Sequence, residues 1–199
     1  MREIYRAVLV IHVALGSVAL VAFWAAIFAR KGSHSHKRRG RVFVVSMAAA
    51  AATALLLCLA VNVFDVYAIR PPDESLSPEK LAEYPDFVRN LFNGIAGGGV
   101  FTLVSLALAM SALRRGDVGA HVGWILAAGT AGHTAFLVSV LPKLLPGIYS
   151  RDPTENPIPW LIPPLVGGIA SAVTARRAAR RYGPRLERRI ARLAAAAGE

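Results

Sequence analysis

Carboxylates and cysteines are scarce in this chain of 199 residues. Its 12 Asp and Glu face 23 Lys and Arg, and no carboxylate falls deep within an apolar run. That disfavours carriers and pumps, which set acidic groups at mid-membrane. One cysteine, Cys58, excludes an internal disulfide and leaves the redox compartment unread; inside an apolar run it reads as a small buried hydrophobe. No His-Glu-x-x-His helix, nucleophile elbow or paired buried carboxylates occur, which argues against a hydrolase. The glycine-rich stretch from Asn93 to Gly99 has no strand pattern before it and no Gly-Lys-Ser/Thr after it, so it is not a phosphate loop. No internal repeat is visible.

What is abundant is apolar surface. Hydrophobic residues make up 55% of the chain and the mean hydropathy is +0.47, too apolar for a soluble domain. A hydrocarbon layer of about 30 Å needs roughly 20 helical residues. Five runs are candidates: Ile4 to Ala29, Val42 to Val66, Leu91 to Leu113, Val118 to Leu141 and Ile158 to Ala175. The expectation is an all-α integral membrane helical bundle of about five transmembrane helices, a four-helix core plus one. It occupies residues 1–175 and is followed by a basic tail at 176–199. The first run is too long for a signal-peptide core and ends in basic sequence, so it is expected to remain as a span.

The formal net charge of +11 invites a nucleic-acid reading, but its distribution argues otherwise. Cations concentrate from Arg30 to Arg41, at Arg114 and Arg115, and from Arg176 to Arg192, whereas Pro71 to Asp86 carries Asp73, Glu74, Glu79, Glu83 and Asp86. With five crossings the three basic regions share one side. The positive-inside rule then places the N-terminus outside and the C-terminus in the cytoplasm of a cell, or cell inner, membrane. The tail pattern around Leu186, Ile190 and Leu193 suits a helix on anionic lipid headgroups, or else a solvated tail. Lipid is the expected partner, with other membrane subunits or a homo-oligomer beside it, and no nucleic acid.

Local signals refine the path. The short basic connection after Arg30 makes the first two spans antiparallel neighbours. Asn62 and Asp65 form a candidate interfacial polar pair. Pro71, Pro72, Pro78 and Pro85 are expected to prevent one continuous helix, with a short cap from Ser77 to Tyr84, Ser77 as N-cap and Pro78 at the first helical position. The glycines from Gly94 to Gly99 are expected at the tightest contact of the bundle. Trp160 anchors the last span at the interface, and Pro163 and Pro164 loosen its first turns.

Four of the five histidines lie in or at the ends of these spans. His12 is about 12 Å below the outer end of span one, with Gly16 one turn along the same face. His133 falls near the middle of span four. His36 and His121 lie at the cytoplasmic interface, and His34 reads as a surface residue of the basic loop. A buried imidazole requires a partner: haem iron, another metal ion, a quinone, or a neighbouring Ser, Thr or backbone carbonyl. His121 and His133 are twelve residues apart, about 120° around a straight helix, so they do not share a face.

His12-Val-Ala-Leu-Gly16, His36-Lys-Arg-Arg-Gly-Arg41 and Gly116-Asp117 followed by His121-Val-Gly-Trp124 resemble the motifs of uncharacterised bacterial multi-pass membrane proteins with a histidine-bearing four-helix core. The match covers the first four spans. Lys37 and Val122 stand where that family usually has arginine after each interfacial histidine. More distantly, the chain is similar to transmembrane b-type cytochromes. The resulting expectation is a membrane protein that binds haem b or a transition metal and transfers electrons. His12, His36, His121 and His133 are the cofactor-binding candidates, with His12 and His133 at a deep metal centre and His36 and His121 at an interfacial one. The alternative is a non-catalytic accessory or assembly subunit of a larger membrane complex. No catalytic residue is assigned.

Overall fold

The computed structural model describes residues 2–70, 72, 77–145, 161–162, 164–174, 176–177 and 180–181. Regular structure among them is entirely helical, and the fold is an all-α helical bundle of about five helices. The elements are α1 (Arg2–Phe28), α2 (His34–Val63), α3 (Val66–Ile69), α4 (Pro78–Arg114), α5 (Val118–Leu144) and a shorter apolar helix α6 (Pro164–Thr174). Four helical stretches, Arg2–Phe28, His34–Val63, Leu81–Arg114 and Val118–Leu141, are long and apolar enough to cross a membrane. Trp160, Pro163 and the tail pattern at 185–193 lie outside the described residues.

The distribution of side-chain size is that of a membrane protein. Where α1 meets α2, the buried residues include Ala19, Ala22, Ala26, Ala50, Ala51 and Ala54, while Val21 is 71% exposed, Phe28 80% and Val45 63%. Water would penalise such an exterior; lipid does not. Alanines let the two backbones approach closely, as helix association requires when burial in lipid gives no hydrophobic gain.

By its internal contacts the chain divides into two compact units, Met1–Leu103 and Val104–Glu199. In the first, α1 and α2 form an antiparallel hairpin turned at Gly32, whose φ of +78° lies in the left-handed region that favours glycine. Ser33 caps α2, its hydroxyl accepting from the His36 amide at 3.2 Å. Residues 34–41, expected as a loop, are therefore the opening turns of α2. Away from this turn, Tyr5, Leu57, Cys58, Val61, Val66, Ile69, Val88 and Phe92 form a buried cluster drawn from α1 to α4. Cys58 is buried there as expected, with its thiol directed at Phe92 O at 3.1 Å. Asn62 pairs with Asn93 Oδ1 at 2.9 Å rather than with Asp65, which instead caps α3 by accepting from the Tyr67 amide.

Two expectations fail, the first only in part, for identifiable reasons. The segment from Arg70 to Asn90 is not one helix, since α3 ends at Ile69 and α4 begins at Pro78, but α4 does continue through Pro85. Proline cannot donate to the carbonyl four residues back, which here is Leu81 O, and the Tyr67 hydroxyl donates to that oxygen at 2.8 Å. The Tyr84 hydroxyl donates to Arg70 O, tying the same region down a second time. The expected Ser77 to Tyr84 cap is therefore the beginning of α4, which starts at Pro78 as expected. Nor is the glycine run the tightest contact. A Cβ at Gly94, Gly97 or Gly98 would meet nothing within 4 Å, and one at Gly99 would meet Leu55 at an ordinary 3.4 Å.

The close approach is in the second unit. A Cβ on Gly167 of α6 would stand 2.5 Å from Thr130 Cγ2 of α5. Thr130 Oγ1 donates to Gly167 O at 3.3 Å and lies 2.9 Å from Ser171 Oγ. In the same unit α4 ends in a Schellman closure. Gly116 takes φ +74°, Asp117 N donates to Ala112 O and Gly116 N to Leu113 O. Asp117 then caps α5, accepting from Ala120 N at 2.9 Å.

Candidate functional site: the histidines

Every one of the four membrane histidines has Nδ1 against a backbone carbonyl. His12 Nδ1 is 2.9 Å from Ala50 O and 3.2 Å from Thr53 Oγ1. His36 Nδ1 is 3.0 Å from Ala26 O, His121 Nδ1 is 2.9 Å from Ala109 O, and His133 Nδ1 is 2.7 Å from Gly129 O. A carbonyl only accepts, so in each ring the proton belongs on Nδ1 and the neutral imidazole carries its lone pair on Nε2. Ligating histidines are oriented by this kind of contact.

In the first unit, His12 and His36 make reciprocal bonds across the hairpin. His12 and Ala50 lie nineteen residues either side of Lys31, and Ala26 and His36 lie five either side, so both contacts belong to one antiparallel register. His36 joins Lys31 and Arg39 at the C-terminus of α1. Lys31 Nζ donates to Ile27 O at 2.7 Å and to Ala26 O at 3.3 Å, and Arg39 donates to Ala25 O at 3.0 Å. Carbonyls in the last turn of a helix lack intrahelical donors and carry the negative end of its dipole, so three basic groups suit them. Desolvation pushes the Lys31 ammonium below its ordinary pKa. His36 is thus a half-buried hairpin contact, not a loop residue, and Arg39 is engaged with the protein.

His12 differs from His36 in its surroundings. It is half-buried, and no hydrogen bond reaches its Nε2 among the described residues. One turn on, a Cβ at Gly16 would meet nothing within 4 Å, so that glycine is not filled by a neighbouring helix. Thr53, which sequence reasoning did not single out, lies beside the ring and donates to Ala49 O and Ala50 O. His34, as expected, is exposed.

In the second unit, His121 repeats the arrangement of His36. Each follows a positive-φ glycine and an N-capping side chain, and each reaches back to a carbonyl of the preceding helix. His133 is held within its own helix, by the carbonyl one turn back. Among the described residues no group of three or more His, Cys, Asp or Glu is placed to hold a metal ion.

No family model matches the chain, and comparison with curated proteins and with solved structures gives no match.

Proposed function

We propose that the chain is a membrane-embedded electron-transfer protein that would carry haem b, held through His12 Nε2. The observation that carries this reading is the state of that ring. Its proton is held on Nδ1 by Ala50 O, its other nitrogen has no hydrogen bond among the described residues, and the neighbouring Gly16 face is open. A flat ligand needs that combination of a fixed tautomer, a lone pair and clear space. Among the described residues no cluster of three ligands is placed for a bare ion, whereas haem would need fewer protein donors, so haem fits these residues better than a lone transition metal. His133, the other expected deep ligand, lies in the second unit with its Nδ1 against Gly129 O. When bound, haem supplies one-electron transfer; the chain supplies oriented imidazole and exclusion of water. The orientation proposed with it puts the basic turns at Lys31 and Arg115 in the cytoplasm and the N-terminus outside.

A second reading has its own support. His36 and His121 each close a helical hairpin, a purely structural use of imidazole, and a protein built this way could serve as an accessory or assembly subunit beside other membrane chains. Haem and metal content of the full chain purified from its own membrane separates the two. Haem b bound in stoichiometric amount supports the first. Absence of haem, iron, copper and zinc eliminates it and leaves the histidines as helix-locking donors.

A further inference from the structure

We propose that the cavity at the Lys31 end of the α1/α2 hairpin binds the phosphate group of an anionic phospholipid. The cavity has a volume of about 360 Å³ and is lined by Ala22, His34, Ser35, Arg38, Arg39 and Val42. The site does not involve His12 and is independent of any haem.

Its chemistry is that of an anion site. Two arginines, a histidine and a serine line it, and between Glu3 and Asp65 the sequence contains no carboxylate to neutralise them. Arg39 uses one nitrogen on Ala25 O and keeps further N–H groups. Arg38 has no hydrogen bond or ion pair among the described residues. Ser33 satisfies the His36 and Lys37 amides, while those of His34 and Ser35, in the same first turn of α2, have no acceptor among the described residues. Planar guanidinium donors and open first-turn amides match the oxygen fork of a phosphate.

The walls say why that phosphate belongs to a lipid. Ala22 and Val42 form the apolar side of the cavity. One turn further along the same faces, away from Lys31, stand Val18, 49% exposed, and Val45, 63% exposed. A cationic mouth at the end of two spans thus opens onto a continuous apolar rail running into the bilayer. A phosphodiester with acyl chains fills both parts, while free phosphate fills only the first.

The test follows apparent Tm of the full chain in neutral detergent as dioleoyl phosphatidylglycerol, dioleoyl phosphatidylcholine or sodium phosphate is added. Phosphatidylglycerol is expected to raise Tm saturably, with phosphatidylcholine at equal mole fraction giving a much smaller rise and phosphate almost none. Arg38→Gln is expected to weaken the phosphatidylglycerol response about tenfold or more, the effect of losing a direct charge-assisted phosphate contact. Arg41→Gln, which removes a cation of the same helix from outside the cavity, is expected to weaken it by no more than about fivefold, the generic effect of one basic residue near an anionic surface. Circular dichroism checks that both variants keep their helices. Equal responses in the two variants, or no loss in Arg38→Gln, would overturn the site; full reproduction of the shift by sodium phosphate would overturn the lipid assignment.

Discussion

Tyr67→Phe tests how α4 runs through a proline without breaking. An interior proline costs a helix about 3 kcal/mol, partly because the carbonyl four residues back loses its donor. In this chain that carbonyl is Leu81 O, and Tyr67 Oη replaces the missing donor at 2.8 Å. Phenylalanine keeps the ring against Tyr84, whose centroid is 6.1 Å away, and removes only the hydroxyl. Because Tyr67 is 40% exposed, water or headgroups can partly substitute for it, so the loss belongs in the lower half of the range for one hydrogen bond, about 0.5 to 1 kcal/mol. For a chain of this size that is a fall in Tm of about 1 to 4 °C. The assay is thermal melting in detergent at a fixed scan rate, read by helical circular dichroism, with a double-mutant cycle against Pro85→Ala. Alanine restores an N–H to Leu81 O, so in that background Tyr67→Phe is expected to cost less than half as much. An equal loss in both backgrounds would show that Tyr67 acts elsewhere and that the hydroxyl does not stand in for the amide.

Three further outcomes follow from other contacts. Gly167→Ala should destabilise despite a helix-propensity gain of about 1 kcal/mol, because the new methyl meets Thr130 Cγ2 at 2.5 Å and overpacking costs about 1 to 3 kcal/mol. Thr130→Ser, which deletes that methyl and keeps the hydroxyl, should restore stability in the double variant; a Tm for Gly167→Ala at or above wild type would contradict the packing. Asp117→Ala should lose about 1 kcal/mol through its N-cap, and Asp117→Asn much less, as read by the same melts. Cys58 should resist maleimide in the folded protein and react on unfolding, since it is buried with its thiol directed at Phe92 O; prompt labelling in native detergent would place it outside the core.

The helices were legible in the sequence because apolar length is a one-dimensional signal, and Pro78 marked the start of α4. Ser33, Asp117, Pro78, Gly32 and Gly116 all act where local chemistry says such residues act. What escaped depends on partners distant in sequence. Pro85 reads as a break until Tyr67 is brought to Leu81, and the Gly94 to Gly99 run reads as a contact until its open surroundings are seen. Asn93 and Thr53 are unremarkable in sequence and become informative only opposite Asn62 and His12. The histidines stood out as polar groups in apolar helices, but a carbonyl acceptor leaves no mark in a sequence, since every residue has one. Only the hairpin register about Lys31 could have pointed to Ala50 and Ala26.

The claim that His12 offers Nε2 to haem is tested most directly by the reduced-minus-oxidised absorption spectrum of the purified chain, recorded for wild type and for His12→Ala. The expected result is the α and Soret bands of haem b in wild type, and their loss or a marked shift in the variant while circular dichroism stays helical. No haem bands in wild type, or identical bands in the two proteins, would contradict it.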